Sequence, residues 1–166
     1  MKEPTDVKGV QQLTRRVAAL SRFITKLGEK ALLFYKLLKK TKVFEWTQEA
    51  KDAFQALKRT LSMLPVLVAP QEKERLYLYI AATHQVVSTV IVVERLEEES
   101  QYGVHRPVYY LSEVLTPSKQ RYPRYQKLAY GVYMMAHKLR HYFQDHPITV
   151  VCKASLSDIL NNCNTT

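Results

Sequence analysis

The stretch Leu76–Val93, LYLYIAATHQVVSTVIVV, limits the folds open to this chain more than any other. Leu76, Leu78 and Ile80 alternate with Tyr77 and Tyr79 at period two, the spacing of a strand with two unlike faces. A polar break at Thr83–Gln85 leads into a second, β-branched run, so the pair reads as a hairpin. Downstream the pattern predicts a third strand at Pro107–Leu111, a long amphipathic helix, a fourth strand at Ile148–Cys152 and a helix from Ser155. Along the long helix Tyr125, Leu128, Val132, Met135, Leu139 and Tyr142 form one stripe, which reads as the surface that covers the sheet. The acidic loop Glu94–Ser100 reads as a solvated hairpin tip.

Upstream the period changes to that of helices. Val10, Leu13, Val17, Leu20, Ile24 and Leu27 recur at spacings of three and four, with Thr5 or Asp6 as N-cap and Gly28 as terminator. A second helix is expected over Glu29–Lys40, with Leu32, Leu33, Leu37 and Leu38 and with Phe34 and Tyr35. Thr47 is placed to cap a third, running to about Met63 with Ala50, Phe54, Leu57 and Leu61 on one face. Pro65 and Pro70 bracket an extended connector. The expected class is therefore α+β. Residues 1–64 form a basic helical segment, 65–74 a linker, and 75–166 a mixed sheet with a covering helix.

Charge is distributed unevenly. Residues 1–43 hold eleven Lys and Arg against Glu3, Asp6 and Glu29, a net of +8 within the chain's total of +10. A basic end on a near-neutral body fits contact with a polyanion, and a solvated lysine-rich surface is the plain alternative. Arg15, Arg16, Arg22 and Lys26 lie off the apolar seam, and Lys39, Lys40 and Lys42 follow the second helix. A second group, Arg121, Arg124 and Lys127, is interleaved with tyrosines. Those tyrosines either help cradle a nucleic-acid backbone or fill the sheet–helix interface.

Cys152 and Cys163 make no disulfide framework, and reduced thiols in an intracellular protein, cytoplasmic or nuclear, are expected. No apolar run reaches the roughly 20 residues of a membrane span. Val7–Lys42 is amphipathic, basic and poor in acids, which also matches a mitochondrial targeting segment. His137 and His141, four apart, have no third ligand to make a metal site. Ser112, Ser155 and Cys152 have no base partner in any recognisable pattern, and no phosphate loop or dinucleotide motif occurs. No metal or other cofactor is expected.

The phrases VQQLTRRVAALSRFI, GEKALLFYKLLKK and FEWTQEAKDAFQALKRTLSMLPVL, followed by LYLYIAA, RPVYYLSEVL, RYPRYQKLAYGVYMMAHKLRHYFQDHPITVV and LSDIL, occur in one order across residues 5–160. In that order they resemble the gypsy-class retrotransposon polyprotein, in its plant form, from the end of the reverse transcriptase into the RNase H-like domain. The resemblance implies a thumb-like helical segment, then an RNase H-like sheet that stops before its fifth strand.

It also implies where catalytic acids belong. In active relatives the first strand ends in Thr-Asp-Ala-Ser, and that Asp falls on Ala81. The helix glutamate falls on Leu128, an earlier Glu of the same phrase on Gln126, and the aspartate ending the fourth strand on Lys153. Two-metal hydrolysis needs carboxylates at such positions, and a lysine there opposes Mg²⁺. The expectation is a non-catalytic module that binds nucleic acid without sequence preference or braces a polymerase. The alternative is a stand-alone product, selfish or domesticated, acting through protein contact. With no fifth strand, Ile148, Thr149, Val150, Val151 and Cys152 would form an open edge for a partner strand or a second copy.

Overall fold

The computed structural model describes residues 2–38, 44–96 and 102–153. Its elements are α1 (Val7–Ala19), a 3-10 turn (Ser21–Phe23), α2 (Leu27–Leu37), α3 (Gln48–Ser62), β1 (Leu76–Ala82), β2 (Val86–Arg95) and β3 (Val104–Val114). They continue with α4 (Pro117–Gln120), α5 (Arg124–Lys138), α6 (Arg140–Asp145) and β4 (Ile148–Val151). The α+β class holds, with a four-stranded sheet ordered β3-β2-β1-β4. β1, β2 and β3 are antiparallel neighbours, and β4 returns parallel to β1 after the helices.

The period-two reading of β1 is what the sheet uses. Leu76, Leu78 and Ile80 are buried and pair across the hairpin with Val93, Ile91 and Thr89. This face lies under α5, whose Leu128, Met134 and Met135 join the same core. The approach is closest at Gly131, where a Cβ would stand 2.7 Å from the Ile80 methyl and 3.1 Å from Val87. Any larger residue would lift the helix off the sheet.

A second core joins the N-terminal helices. Val10, Leu13, Val17, Ile24, Leu27, Phe34, Phe54 and Leu57 are all buried in it. Each such side chain contributes about 2 kcal/mol by leaving water. Asp6 Oδ1 caps α1 by accepting from Gly9 N at 2.6 Å, and Thr47 Oγ1 caps α3 by accepting from Ala50 N at 3.3 Å. Trp46 stacks on Phe34 and meets Phe54 edge-on.

Several boundaries differ from the sequence reading. α1 stops at Ala19, Leu20 is exposed, and Gly28 opens α2 rather than ending α1. Its role is close approach, because a Cβ there would lie 2.8 Å from both Ser112 Oγ and Val86 Cγ1. The bare glycine lets its N–H reach Ser112 Oγ at 3.0 Å. The second helix covers Leu27–Leu37 and buries Leu27, Gly28, Ala31 and Phe34, while Leu32, Leu33, Leu37 and Leu38 are only half-buried.

β3 extends well past Pro107–Leu111. Pro107 is tolerated because β3 is an edge and the ladder with β2 is bulged between Ile91 and Val92. Glu94 and Arg95 belong to β2, not to a loop, and 97–100 of that acidic stretch lie outside the described residues. The long helix breaks at Leu139 into α5 and α6, and Tyr125, expected on its buried stripe, is exposed. The helix expected from Ser155 lies outside the described residues, and β4 ends at Val151, one residue before Cys152.

The connector at 65–74 is tied to the sheet. Val68 N donates to Pro107 O at 3.0 Å, and Arg95 reaches back to Ala69 O at 2.9 Å. Arg95 also makes a two-pronged contact with Glu74, its Nε and Nη2 at 3.0 and 2.9 Å from the two carboxylate oxygens. Those hydrogen bonds hold the Glu74 carboxyl below its ordinary pKa. A folded-state pKa below the unfolded one stabilises the fold above the usual carboxylate range, and that contribution is lost as pH falls through the folded value. Replacing Arg95 by Met should therefore lower the melting temperature near neutral pH. In thermal scans across a pH series the gap from wild type should narrow in acid, down to what the lost Ala69 contact contributes. A gap that widens in acid would contradict this account.

Candidate nucleic-acid interface

The three positions that the resemblance equates with catalytic acids are not all brought together. Ala81 is exposed near the end of β1, on the face turned away from α5. Tyr79 pairs with Val151, so Ala81 and Lys153, each two residues further on, lie at the same end of neighbouring strands. Lys153 is exposed. Leu128 is on the other side of the sheet, 3% exposed within the core under α5. Gln126 is exposed. The groups presented are a methyl, a buried isobutyl and an ammonium, and none ligates a divalent cation. Among the described residues no three His, Cys, Asp or Glu are grouped to hold a metal ion.

The start of α5 gathers positive charge. No Asp or Glu occurs between Glu113 and Asp145, a span that includes Lys119, Arg121, Arg124, Lys127, Lys138 and Arg140. The first turn of α5 lacks the acidic residue that usually offsets the helix dipole, and Pro123 provides no side-chain cap. Arg121 and Arg124 are exposed there. Lys127 is not. Its side chain is buried, with Nζ donating to His84 O at 3.0 Å and Thr83 O at 3.5 Å. It satisfies carbonyls of the β1–β2 turn and pins α5 to them, so it is a bracing group rather than a solvent-facing phosphate ligand. Ala82, Thr83, His84, Arg124 and Lys127 line a cavity of about 300 Å³ that contains no carboxylate.

The tyrosines divide between the two readings. Tyr130 and Tyr142 are half-buried, whereas Tyr122, Tyr125 and Tyr133 are exposed, Tyr133 at 61%. Tyr130 stacks on Tyr133, which stacks on His137, making a flat aromatic row along the outside of α5. The spacing of Tyr130, Tyr133 and His137, three and then four apart, was the available signal for that outer row. At the inner end Glu113 accepts from Tyr130 OH at 2.8 Å and from Lys119 Nζ at 3.0 Å, and Lys119 also meets the Tyr130 oxygen. The bonds from Tyr130 and Glu113 raise the Lys119 pKa, and burial, first among several causes, raises that of Tyr130.

In the N-terminal segment Arg15 and Arg16 are exposed on α1. Arg22 places its guanidinium over the Phe23 ring at 5.0 Å and the Tyr109 ring at 5.9 Å, which links the 3-10 turn to β3. Lys26 is exposed and adopts a left-handed backbone, φ 52°, immediately before α2. Lys39, Lys40 and Lys42 lie outside the described residues. Ile148, Thr149, Val150 and Val151 of β4 and Cys152 beyond it are half-buried, and among the described residues no strand pairs with the outer side of β4. No helix among the described residues is long and apolar enough to cross a membrane.

Comparison with known proteins adds the family. The Gag-Pol polyprotein of Gibbon ape leukemia virus is 26% identical over 157 residues, 95% of this chain and 9% of that protein. The foamy viral protease-reverse transcriptase, solved in complex with double-stranded DNA, superposes with a TM-score of 0.75 at 16% identity, over 97% of this chain and 28% of that one. The same enzyme with an RNA/DNA hybrid gives 0.73 at 16%, over 99% and 22%. At these identities the superpositions establish a shared fold, and the chain spans well under a third of each of these proteins. The family profile for the RNase H-like domain found in reverse transcriptase matches residues 46–150, from Trp46 before α3 to the third residue of β4. The chain belongs to the family of RNase H-like domains found in reverse transcriptases.

Proposed function

We propose that this chain is a non-catalytic RNase H-like module of gypsy-class retroelement origin, its helical segment thumb-like, that binds a nucleic-acid duplex by its backbone. The carrying observation is the acid-free start of α5, where Arg121 and Arg124 stand exposed beside a carboxylate-free cavity and an outer row of tyrosines. Such a surface neutralises phosphates and reads no base edges, so it gives affinity without sequence preference. The viral relatives' complexes with double-stranded DNA and with RNA/DNA hybrid support the same ligand class. Ala81, Leu128 and Lys153 argue against metal-dependent cleavage at the expected positions. Arg15 and Arg16, exposed on α1, form a separate basic group.

Binding should fall steeply with salt and vary little with sequence. Reversing Arg121 and Arg124 to Glu should abolish duplex retention in gel shifts at moderate salt. Neutralising them to Gln should flatten log K against log salt by about two, one unit for each phosphate contact removed. Unchanged affinity and slope would refute this surface. The purified protein should show no Mg²⁺- or Mn²⁺-dependent cleavage of an RNA–DNA hybrid. Chelator-sensitive cleavage that persists in Lys153→Ala would refute the non-catalytic reading.

A second reading, action through protein contact, is favoured by β4. Leu76 N donates to Pro147 O at 3.0 Å. In a parallel ladder the residues that bond the neighbour alternate with residues that face away. Pro147, Thr149 and Val151 therefore face β1, and Ile148 and Val150 direct their backbone groups outward. A strand added there would use the Val150 N–H. Sedimentation of wild type should show concentration-dependent association that Val150→Pro removes, with the β1 ladder untouched. A strictly monomeric wild type with no strand-adding partner would eliminate this reading.

A further inference from the structure

We propose that the sheet face opposite α5 carries a second nucleic-acid site, a slot for one unstacked base of a single strand, separate from the duplex surface at α5. It shares with that reading only the class of ligand. The slot is a cavity of about 220 Å³ bounded by Tyr79 and Tyr110, with Ala81 and Val90 beneath and Thr25 and Lys26 at its mouth. Its walls are almost wholly carbon surface, and its volume is suited to a planar ring.

Three features select the occupant. First, no carboxylate lines the slot, Lys26 stands at its rim, and Lys153 is exposed at the adjoining end of β4. An acid at position 81 would put a negative charge on the floor and repel a phosphate passing over it, and the methyl of Ala81 removes that repulsion. Second, Lys26 is held there by its backbone. Its left-handed φ of 52° is one that side-chain-bearing residues rarely adopt, and the bond between Gly28 N and Ser112 Oγ fixes the start of α2 just after it.

Third, the face continues as an aromatic platform. Tyr77 lies two residues before Tyr79 on the same strand, and His105 joins the two, stacking on Tyr77 at 5.6 Å and 23° and meeting Tyr79 at 5.6 Å with its Nδ1 3.2 Å from the Tyr79 hydroxyl. Successive flat surfaces along a strand accept successive bases regardless of sequence, because every base has a π-face. Glu94, which accepts from Tyr77 OH at 3.3 Å, marks the far end. It sets a direction, with phosphates toward Lys26 and bases along the tyrosines. A base within a duplex is already stacked and paired, so this slot discriminates between single strands and duplexes.

The test compares a short fluorescein-labelled oligothymidylate with a blunt duplex by fluorescence anisotropy, using the full chain at one low salt concentration. Ala81→Trp fills the slot from an exposed position, and Lys26→Glu reverses the charge at its mouth. Each should weaken oligothymidylate binding about tenfold or more, the scale of one lost base–aromatic stack, and leave duplex affinity within twofold for Ala81→Trp. Arg121→Glu with Arg124→Glu should do the reverse, which separates failure of this proposal from failure of the duplex surface. If Ala81→Trp loses its native circular dichroism, Lys26→Glu decides alone. The proposal is overturned if wild type does not bind the oligothymidylate, or if the slot variants bind it as tightly as wild type. It is overturned as well if an acidic peptide bearing one tryptophan binds in an Ala81→Trp-sensitive way and the oligothymidylate does not.

Discussion

β1 is the strand to which everything else is referred, and its two faces answer to different demands. It lies between β2 and β4, so over Leu76–Tyr79 its backbone is paired on both sides and its side chains decide what packs where. Even-numbered residues are buried beneath α5, with Gly131 giving the helix its close seat. Odd-numbered residues, Tyr77, Tyr79 and Ala81, face the other way, where α2 covers only the far end through Gly28, Val86 and Ser112. A shift of register by one residue would exchange the two sets and expose the core, so the alternation fixes the sheet and both of its surfaces together.

The same geometry explains why the positions that the resemblance equates with acids have separate surroundings. Leu128 lies in the core, where it is buried against apolar neighbours and adds packing energy. An ionised glutamate there would have to be desolvated or held by a cation, at a cost of several kcal/mol. Ala81 and Lys153 are on the surface, where they present a methyl and an ammonium. Leu128 stabilises the fold, and Ala81 and Lys153 help set which charge the surface attracts.

Much of this was legible in the sequence because it depended on local rules. The strand alternation, the turn at Thr83–Gln85, and the caps at Asp6 and Thr47 need only neighbours to be read. Gly28 was misread because a glycine after a helical seam and a glycine under a strand look the same along the chain, and only Ser112, 84 residues away, separates them. Lys127 was misread for a similar reason. Its charge suggested solvent, but its position in the first turn of α5 aims it at the carbonyls of Thr83 and His84. The cavity on the open face was not legible at all, since Thr25 and Lys26 come to line it with Tyr110 only once α2 has docked.

The ties between the helical segment and the sheet concentrate on β3 and the end of β2. Gly28 bonds to Ser112, Arg22 lies over Tyr109, Val68 bonds to Pro107, and Arg95 holds both Ala69 and Glu74. Residues 65–74 are therefore tied to the sheet at several points. The family match beginning at Trp46 runs through this connector, although α3 packs with α1 and α2 rather than with the sheet. The bond from Val68 N to Pro107 O covers one point of the β3 edge, and among the described residues no further strand pairs with the outer side of either β3 or β4.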